Sequence, residues 1–528
     1  MAKHSLRGSE RSELAGSKVL GQYDLKERVE VRLVLRRQNE SDLQKRVRRL
    51  ELGEDLPPLD RQTFANLYST SPDDLAKVRR FASEYSLMLV EENPVASAVT
   101  LSGTVDQLQK TFEVKLELYE HPKGGQYRGR AGAIHIPDEL QDVVTAVLGL
   151  DCRQQAHRSN GPSTVQPTKA ANPPQGSSKD EPPALTFLPQ EIGSLYNFPA
   201  GGGEGQCIGL IEIRGGYLES DLTGFFSGIG VKVPTIVPVR IKGGENPIAS
   251  DPASADIEAT LDIQIAGALA PEAKLVVYFA KNEDAHLANA VDYVIHDDIN
   301  RPSVLSLSWG GSESNWTEQA RQTLNRSLQV AAVLGITVCV ASGDSGSNSG
   351  ADGGPEDVNF PASSPYALAC GGTQLIGSET SIESEVAWND DPKSATGGGI
   401  SRVFALPPWQ EGLSAARTSG PSRVLSYRGV PDVAGNASAK SGYEILFAGQ
   451  KTLASGTSAV APLWAALIAR INSKKNKSVG FIHPKLYRHP QVCDDVTQGN
   501  NGSFAAAPGW NACTGLGSPD GQKIFDLL

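Results

Sequence analysis

Cysteine is scarce in this sequence: six of the 528 residues are cysteines, and no two have C-x-x-C spacing. So few cysteines without that spacing predict neither a zinc site nor a disulfide scaffold. Cys339 and Cys370 lie within apolar runs and are interpreted as buried thiols. Cys493 and Cys513 flank one loop, so a disulfide between them stays open at this point.

Long apolar runs and an excess of basic residues are also missing. No segment approaches the ~20 apolar residues that a membrane-spanning helix needs, so no membrane span is expected. The first 16 residues lack an apolar stretch and do not have the pattern of a secretory signal peptide. The net charge of -11 argues against a nucleic-acid-binding protein.

The chain divides by composition into four segments. Residues 1–22 are polar and are interpreted as a mobile N-terminus. Residues 23–152 follow the order strand, helix, two strands, helix, strand, which predicts a small ferredoxin-like α+β domain. Residues 153–184 are rich in Pro and polar residues and indicate an exposed linker, while residues 185–528 form a larger domain. The predicted strands of the first domain are 29–37, 88–92, 96–102 and 114–119, and its predicted helices are 73–86 and 104–112.

The larger domain alternates strands and helices. Its strands, such as those at 207–213 and 274–280, are continuously apolar, which is typical of a parallel sheet buried on both faces. The predicted architecture is therefore α/β and doubly wound. Ligands of such sheets bind beyond the carboxyl ends of the strands, where Glu212, Trp309 and Asp344 stand.

One serine lies between a turn of small residues and an apolar helix. Ser458 follows Gly456 and Thr457, and residues 459–471 are predicted to be helical, with Pro462 in the first turn. The N-terminus of a helix stabilises negative charge, including the alkoxide of a nucleophilic serine. The alternative is a simple N-cap, because serine is among the preferred N-cap residues.

A catalytic serine needs a base, and no histidine of the larger domain stands in a recognisable motif. The G-x-S-x-G turn of an α/β-hydrolase is also missing, because Val460 stands where its second glycine would be. A Ser-His-Asp esterase is therefore disfavoured, and the base is sought among the carboxylates. The histidines of this domain are His286, His296, His483 and His489.

Two carboxylates lie four residues apart in segment 254–271, whose apolar spacing predicts a helix. Glu258 and Asp262 would lie within roughly 40° of each other, whereas Asp256 points nearly the opposite way. Neighbouring carboxylates in an enclosed site tend to share a proton, and such a pair can act as a base in acid. The alternatives are a solvated helix edge for this pair and an ordinary turn for Asp344.

Five motifs of the larger domain occur together. Their combination resembles the sedolisin family of serine-carboxyl peptidases, and the likeness to kumamolisin-type precursors spans nearly the whole chain. The resemblance implies a subtilisin-like fold, an inhibitory N-terminal activation domain and a processed linker. The motifs are E-x-x-x-D from Glu258, S-W-G-G at 308–311, S-G-D-S-G at 342–346, F-P-A-S-S-P-Y-A-L-A-C-G-G-T at 360–373, and G-T-S-A-V-A-P at 456–462.

The resemblance also implies a role for each catalytic residue. Ser458 would be the nucleophile, Glu258 its general base and acid, and Asp262 the carboxylate that orients Glu258. Asp344, protonated in acid, would form the oxyanion hole together with the backbone N–H of Ser458.

Further residues match family positions around this centre. Glu212 and Trp309 match positions that extend the hydrogen-bond network behind Glu258. The strand that contains Ser308, Trp309 and Gly310 resembles the edge on which a substrate backbone pairs as an added strand.

The resemblance implies an acid-acting endopeptidase that is made as a zymogen and inhibited by its own activation domain. We expect a monomer that acts on protein or peptide substrates outside the cell. The alternative function is a catalytically silent protein of the same fold that binds peptides and needs none of the carboxylates. Only an active nucleophile would react with an aldehyde or fluorophosphonate probe.

A single calcium ion near the C-terminus is also implied by the resemblance. Its ligands would be the side chains of Asp495 and Asn511 and the carbonyl groups of Val496, Ala507 and Gly509. Asn511 stands where relatives commonly carry Asp, so the site is expected to be weaker by one negative charge. The alternative is a plain turn rich in Gly and Asn.

Overall fold

The computed structural model describes residues 2–122, 125–154, 156–158, 185–241, 244, 255–282, 284–349 and 356–528. Most of the predicted linker, 153–184, lies outside these residues. In the described part of the chain, no helix is both long and apolar enough to cross a membrane. All six cysteines are free thiols, so Cys493 and Cys513 do not pair, and Cys339 and Cys370 are buried.

A four-stranded antiparallel sheet is the centre of the N-terminal domain. One face carries two helices, Pro72–Glu84 and Val105–Phe112, whose apolar side chains share a core with the sheet. The strand order is that of a ferredoxin-like unit, as the sequence predicts. From edge to edge the strands are Met88–Asn93, Ala98–Thr104, Arg28–Leu35 and Val144–Leu148.

Two details of this domain differ from the sequence-based expectation. The predicted strand 114–119 is wrong as the fourth strand of the sheet, because Val144–Leu148 takes that place. Glu117–His121 instead belongs to a separate sheet, since an alternating pattern does not specify which strand it pairs with. The polar segment 2–22 is anchored in the structure, because Lys3–Ser5 forms a strand and Leu6 is buried. The separate sheet is completed by Lys18–Gln22 and Gly125–Gly129, and Lys3–Ser5 pairs with His135–Pro137.

Two further helices attach this domain to the larger domain. The helices Glu40–Glu51 and Arg61–Tyr68 were not predicted, because their sequences are mostly polar. Their buried side chains Leu43, Val47 and Phe64 belong to a core cluster that consists mainly of residues of the larger domain. Packing against the second domain therefore stabilises these helices.

The larger domain contains a mostly parallel sheet with helices on both faces, which confirms the predicted subtilisin-like α/β class. Parallel strands are Ile236–Arg240, Lys274–Ala280, Cys207–Ile213, Val304–Leu307, Thr337–Ala341, Leu368–Ser378 and Val433–Asn436, and Ser381–Ala387 is antiparallel. One face carries the helices Glu219–Gly228, Asp256–Leu269 and Val460–Lys475, and the other carries Asp284–Ile295 and Glu318–Val333.

Shorter elements complete the domain. The helices are Pro189–Leu195, His483–Arg488 and Gly521–Leu527. The three-stranded groups are Leu185–Phe187 with Ser441–Phe447 and Gln450–Ala454, and His157–Arg158 with Trp309–Ser312 and Asn359–Phe360. The strand pairs are Asn389–Asp391 with Ser394–Ala395, Gly399–Ala405 with Tyr427–Val430, Ser414–Ala415 with Arg423–Val424, and Cys493–Asp494 with Ser518–Pro519.

Candidate active site

The helix Asp256–Leu269, here called the carboxylate helix, is buried on every face. It lies in a core shared with the helix Val460–Lys475, so it has no edge exposed to water. Glu258 and Asp262 are fully buried. The alternative of a solvated helix edge is therefore excluded for both carboxyl groups.

Ser458 lies in a tight turn that leads into the helix Val460–Lys475. Gly456 has φ +106°, a conformation that glycine adopts without steric cost, and a 3-10 turn at Thr457–Ala459 follows. The side chain of Ser458 is fully buried, and its Oγ has no hydrogen-bond partner among the described residues. A buried hydroxyl without such a bond is available to a reacting group.

Three carboxyl groups meet behind this turn. Ser308 Oγ donates a hydrogen bond to Asp262 Oδ2 over 2.8 Å and lies 3.4 Å from the carbonyl oxygen of Ser458. Trp309 Nε1 donates to Glu212 Oε2 over 3.0 Å, and the carboxyl groups of Glu212, Asp262 and Glu258 interact electrostatically. The structure thus brings the predicted network residues together around the carboxylate helix.

Burial and mutual repulsion control the protons of this network. Burial, followed by the negative charge of Glu258, raises the pKa of Glu212 to about 8. Burial and the charges of Glu212 and Glu258 raise the pKa of Asp262 well above its ordinary value. The Glu212–Asp262 pair therefore retains protons throughout the acidic range.

Asp344 lies beside the serine turn. It follows the strand Thr337–Ala341, and its Oδ1 accepts hydrogen bonds from Thr457 N over 2.8 Å and from Thr457 Oγ1 over 2.6 Å. Only 3% of Asp344 is exposed, so it is no ordinary surface turn residue. The sequence analysis did not assign Thr457 a function, although its position next to Ser458 was a signal.

The strand Trp309–Ser312, here called the groove strand, runs past this centre. A segment of the linker, His157–Arg158, pairs with it in antiparallel fashion, with His157 opposite Gly310 and Arg158 opposite Trp309. A Cβ atom at Gly310 would collide with Asn359 Oδ1 and approach the carbonyl oxygen of Phe360 to 2.9 Å. Glycine is needed here because the segment that contains Asn359 and Phe360 passes so close.

The five residues proposed as calcium ligands lie together near the C-terminus. Asn511 Nδ2 donates hydrogen bonds to the carbonyl oxygens of Val496, Ala507 and Gly509 over 3.1, 3.2 and 3.5 Å. Asp495 Oδ2 accepts from the N–H of Gly509 over 2.8 Å. The oxygen atoms suit calcium, but an amide nitrogen lies where their carbonyl groups converge.

The sequence and the structure are similar to those of known peptidases. Residues 15–153 match the family model described as the activation domain of pro-kumamolisin, and residues 249–489 match that of the subtilase family. The chain is 43% identical over 516 residues to kumamolisin of Bacillus sp. strain MN-32, covering 95% of this chain and 92% of that protein. The chain belongs to the sedolisin family. Like the sedolisins and kumamolisins, it is a serine-carboxyl peptidase made as a zymogen with an activation domain.

Two further comparisons extend across this sedolisin-family chain. Sedolisin of Pseudomonas sp. strain 101 is 28% identical over 494 residues, covering 88% of this chain and 81% of that protein. The solved structure of Pseudomonas sedolisin complexed with two molecules of pseudo-iodotyrostatin has a TM-score of 0.57 and 29% identity, covering 65% of this chain and 98% of that chain.

The raised pKa of Glu212 predicts how stability depends on pH. In the unfolded chain this carboxyl group loses its proton near its ordinary pKa of 4.5, whereas in the folded chain it keeps it until about pH 8. Stability should therefore fall as pH rises through this interval. In a Ser458→Ala background, Glu212→Gln should reduce the fall in melting temperature between pH 5 and 8 by about 2 °C or more.

Thermal unfolding of both chains across this pH range measures the effect. Glu411→Gln is the matched control, because Glu411 is exposed and lies outside the network. Identical pH profiles with and without Glu212→Gln would contradict the assigned proton.

Proposed function

We propose that Ser458 hydrolyses peptide bonds with Glu258 as its general base and acid. Ser458 Oγ attacks the scissile carbonyl carbon while its proton passes to Glu258. Glu258 then protonates the leaving amine as the C–N bond breaks, and water hydrolyses the acyl-enzyme by the same route. The observation that carries the proposal is the burial of Glu258 and Asp262 on one helix beside the serine turn.

The remaining network would prepare these two residues. Asp262 would orient Glu258, and Glu212 and Trp309 would hold Asp262 in its protonated state. Asp344, oriented by its two hydrogen bonds from Thr457, would donate a hydrogen bond to the oxyanion, and the backbone N–H of Ser458 would donate another. This donation requires a protonated Asp344, which suits an acidic working pH.

A covalent probe tests the nucleophile directly. After acid treatment, the wild-type chain should be labelled at Ser458 by a peptide aldehyde or a fluorophosphonate, and the Ser458→Ala chain should not. Binding of a peptide without labelling would favour the catalytically silent alternative. Mass spectrometry of the labelled peptide identifies the site.

The activation domain would inhibit the enzyme by placing the linker on the groove strand. The pairing of His157–Arg158 with the groove strand occupies the edge that a substrate backbone would need. Cutting the linker should therefore release activity. If the Ser458→Ala chain alone were cut as fast as wild type, self-processing would be excluded.

The proposed setting is that of a monomer outside the cell acting on protein or peptide substrates. Its support is the family to which the chain belongs, together with the acid-adapted network. Fractionation of the producing cells and sedimentation of the purified chain test the location and the monomeric state.

We also propose a weak calcium site formed by Asn511 and the four other residues of this group. A cation would have to displace the Asn511 amide, whose Oδ1 is held by the backbone N–H groups of Cys513 and Thr514. Its Nδ2 meets the carbonyl oxygens that the ion needs. Aspartate has the same shape but offers a second oxygen and a negative charge.

Asn511→Asp should therefore make thermal stability strongly dependent on calcium. The melting temperature of the Ser458→Ala chain should change little between excess calcium and a chelator, whereas that of the Asn511→Asp chain should differ by several degrees, about 2.7 kcal/mol of binding linkage at 100 times Kd. Asn500→Asp serves as the control, since it adds a charge outside the five residues. If the melting temperature of the Asn511→Asp chain did not depend on calcium, the proposed site would be refuted.

A further inference from the structure

Asn282 binds both backbone groups of one linker residue. Its Oδ1 accepts a hydrogen bond from the N–H of Ala156 over 3.1 Å, and its Nδ2 donates to the carbonyl oxygen of Ala156 over 2.5 Å. Asn282 is 7% exposed and lies just beyond the carboxyl end of the strand Lys274–Ala280. The side chain thus provides the two bonds that a neighbouring strand would otherwise supply.

The direction of these bonds follows from the register of the linker. In an extended chain, successive residues direct their backbone N–H and C=O groups to opposite sides. His157 is opposite Gly310 of the groove strand, and the backbone N–H and C=O groups of the preceding Ala156 are directed to Asn282. The linker is therefore held between the groove strand and one asparagine side chain.

We propose that Asn282 is a positioning residue for substrate. Its side chain would bind the backbone of the substrate residue that takes the place of Ala156. The inference rests on the proposed function, in which a substrate pairs with the groove strand once the linker has left. The two hydrogen bonds to backbone groups do not depend on the side chain of the bound residue. The Ala156 side chain is itself fully buried, so this position should favour small residues.

Loss of the Asn282 amide should weaken substrate binding more than it slows the chemistry. The two hydrogen bonds are present before and during bond cleavage, so their loss should raise KM and leave kcat nearly unchanged. Asn282→Ala should lower kcat/KM of the processed enzyme by about tenfold, the effect of two ordinary hydrogen bonds. Asn289→Ala is the matched control, because Asn289 contacts Arg32 of the activation domain and lies outside the groove.

An ester scan separates this role from a merely structural one. In a series of peptides, each backbone amide upstream of the scissile bond is replaced in turn by an ester, which removes one N–H donor. At one position the ester should lower kcat/KM of the wild-type enzyme about fivefold, and Asn282→Ala should be insensitive to that ester. If Asn282→Ala does not fold, Asn282→Leu answers the same question, since it is similar in size, lacks the acceptor and should be insensitive to that ester, whereas Asn282→Asp keeps the acceptor and should keep the ester effect.

The outcomes distinguish the two levels of the proposal. If every ester that slows the wild-type enzyme slows the Asn282→Ala enzyme equally, the role of Asn282 is overturned and the groove assignment survives. If no ester slows the wild-type enzyme, pairing along the groove strand is overturned, and the Asn282 role with it. A selective loss of the ester effect in Asn282→Ala is the result expected.

Discussion

Alanine at Ser458, Glu258 or Asp344 is expected to leave a folded protein with at most about 1% of the wild-type peptidase activity. Each residue has a chemical role that no neighbour can take over, and removing one oxyanion donor alone costs about 100-fold or more. Asp262→Ala should be badly impaired as well, because Asp262 would orient Glu258. Cleavage of a quenched fluorescent peptide in acid measures the loss.

A pair of matched amide variants separates catalysis from folding on the same helix. Glu258→Gln should abolish activity, while Asp256→Asn should keep most of it, although both carboxyl groups are buried on the carboxylate helix. Asp256 Oδ1 accepts from the N–H of Gly216 over 2.7 Å, on a contact separate from the serine turn. Full activity in Glu258→Ala or Glu258→Gln would refute the carboxylate mechanism.

Replacement of His296 is expected to delay self-processing in acid. His296 lies at the contact between the domains, with its ring centroid 5.6 Å from that of Phe64. Neither ring nitrogen has a hydrogen-bond partner among the residues the structure describes. Burial, followed by the charges of Arg37 and Arg61, lowers the pKa of His296 from 6.5 to about 3.

The sign of this effect favours release in acid. The docked state binds a proton at His296 only near pH 3, whereas the ring freed from the activation domain would regain its ordinary pKa of 6.5. Between these values, each unit by which the pH falls favours separation of the domains by about tenfold at most. Protonation thus opposes docking, while the ion pair of Arg32 with Asp292 and that of Glu40 with Arg326 support it.

His296→Phe keeps an aromatic ring and removes the proton site. Self-processing at about pH 4.5 should be slowed about tenfold or more, while the processed enzyme keeps its activity. Gel analysis of the full chain over time, alongside peptidase assays of the processed enzyme, measures both. His489→Phe replaces an exposed histidine as the control, and a processing onset unchanged by His296→Phe would contradict the prediction.

The elements of the catalytic domain could be predicted because their apolar patterns are strong. Spacing placed Glu258 and Asp262 on one side of a helix, and the strand ends pointed to Glu212 and Asp344. The structure adds that this helix is buried all round, so its polar residues are not at a surface. The side of this helix that the apolar pattern would leave exposed is covered by the helix Val460–Lys475, about 200 residues away in sequence. Local periodicity does not report such a distant contact.

Residues whose roles depend on tertiary contacts could not be found in this way. Thr457 and Asn282 are ordinary polar residues in sequence, and their significance comes from the groups they meet. Asn511 was predicted from the family likeness as a ligand, but only its hydrogen bonds reveal competition between its amide and a cation. The unpredicted helix Glu40–Glu51 shows the same limit, because its apolar partners lie in the other domain.

The linker strand and the groove it occupies belong to one chain, which changes the kinetics of inhibition. A tethered segment has an effective local concentration on the order of millimolar, so a free peptide at micromolar concentration would compete poorly for the groove. Release should then be a first-order event, with a half-time that does not change when the protein is diluted. A second enzyme molecule would speed release only by cutting the linker of the first. The rate of release would then rise with protein concentration.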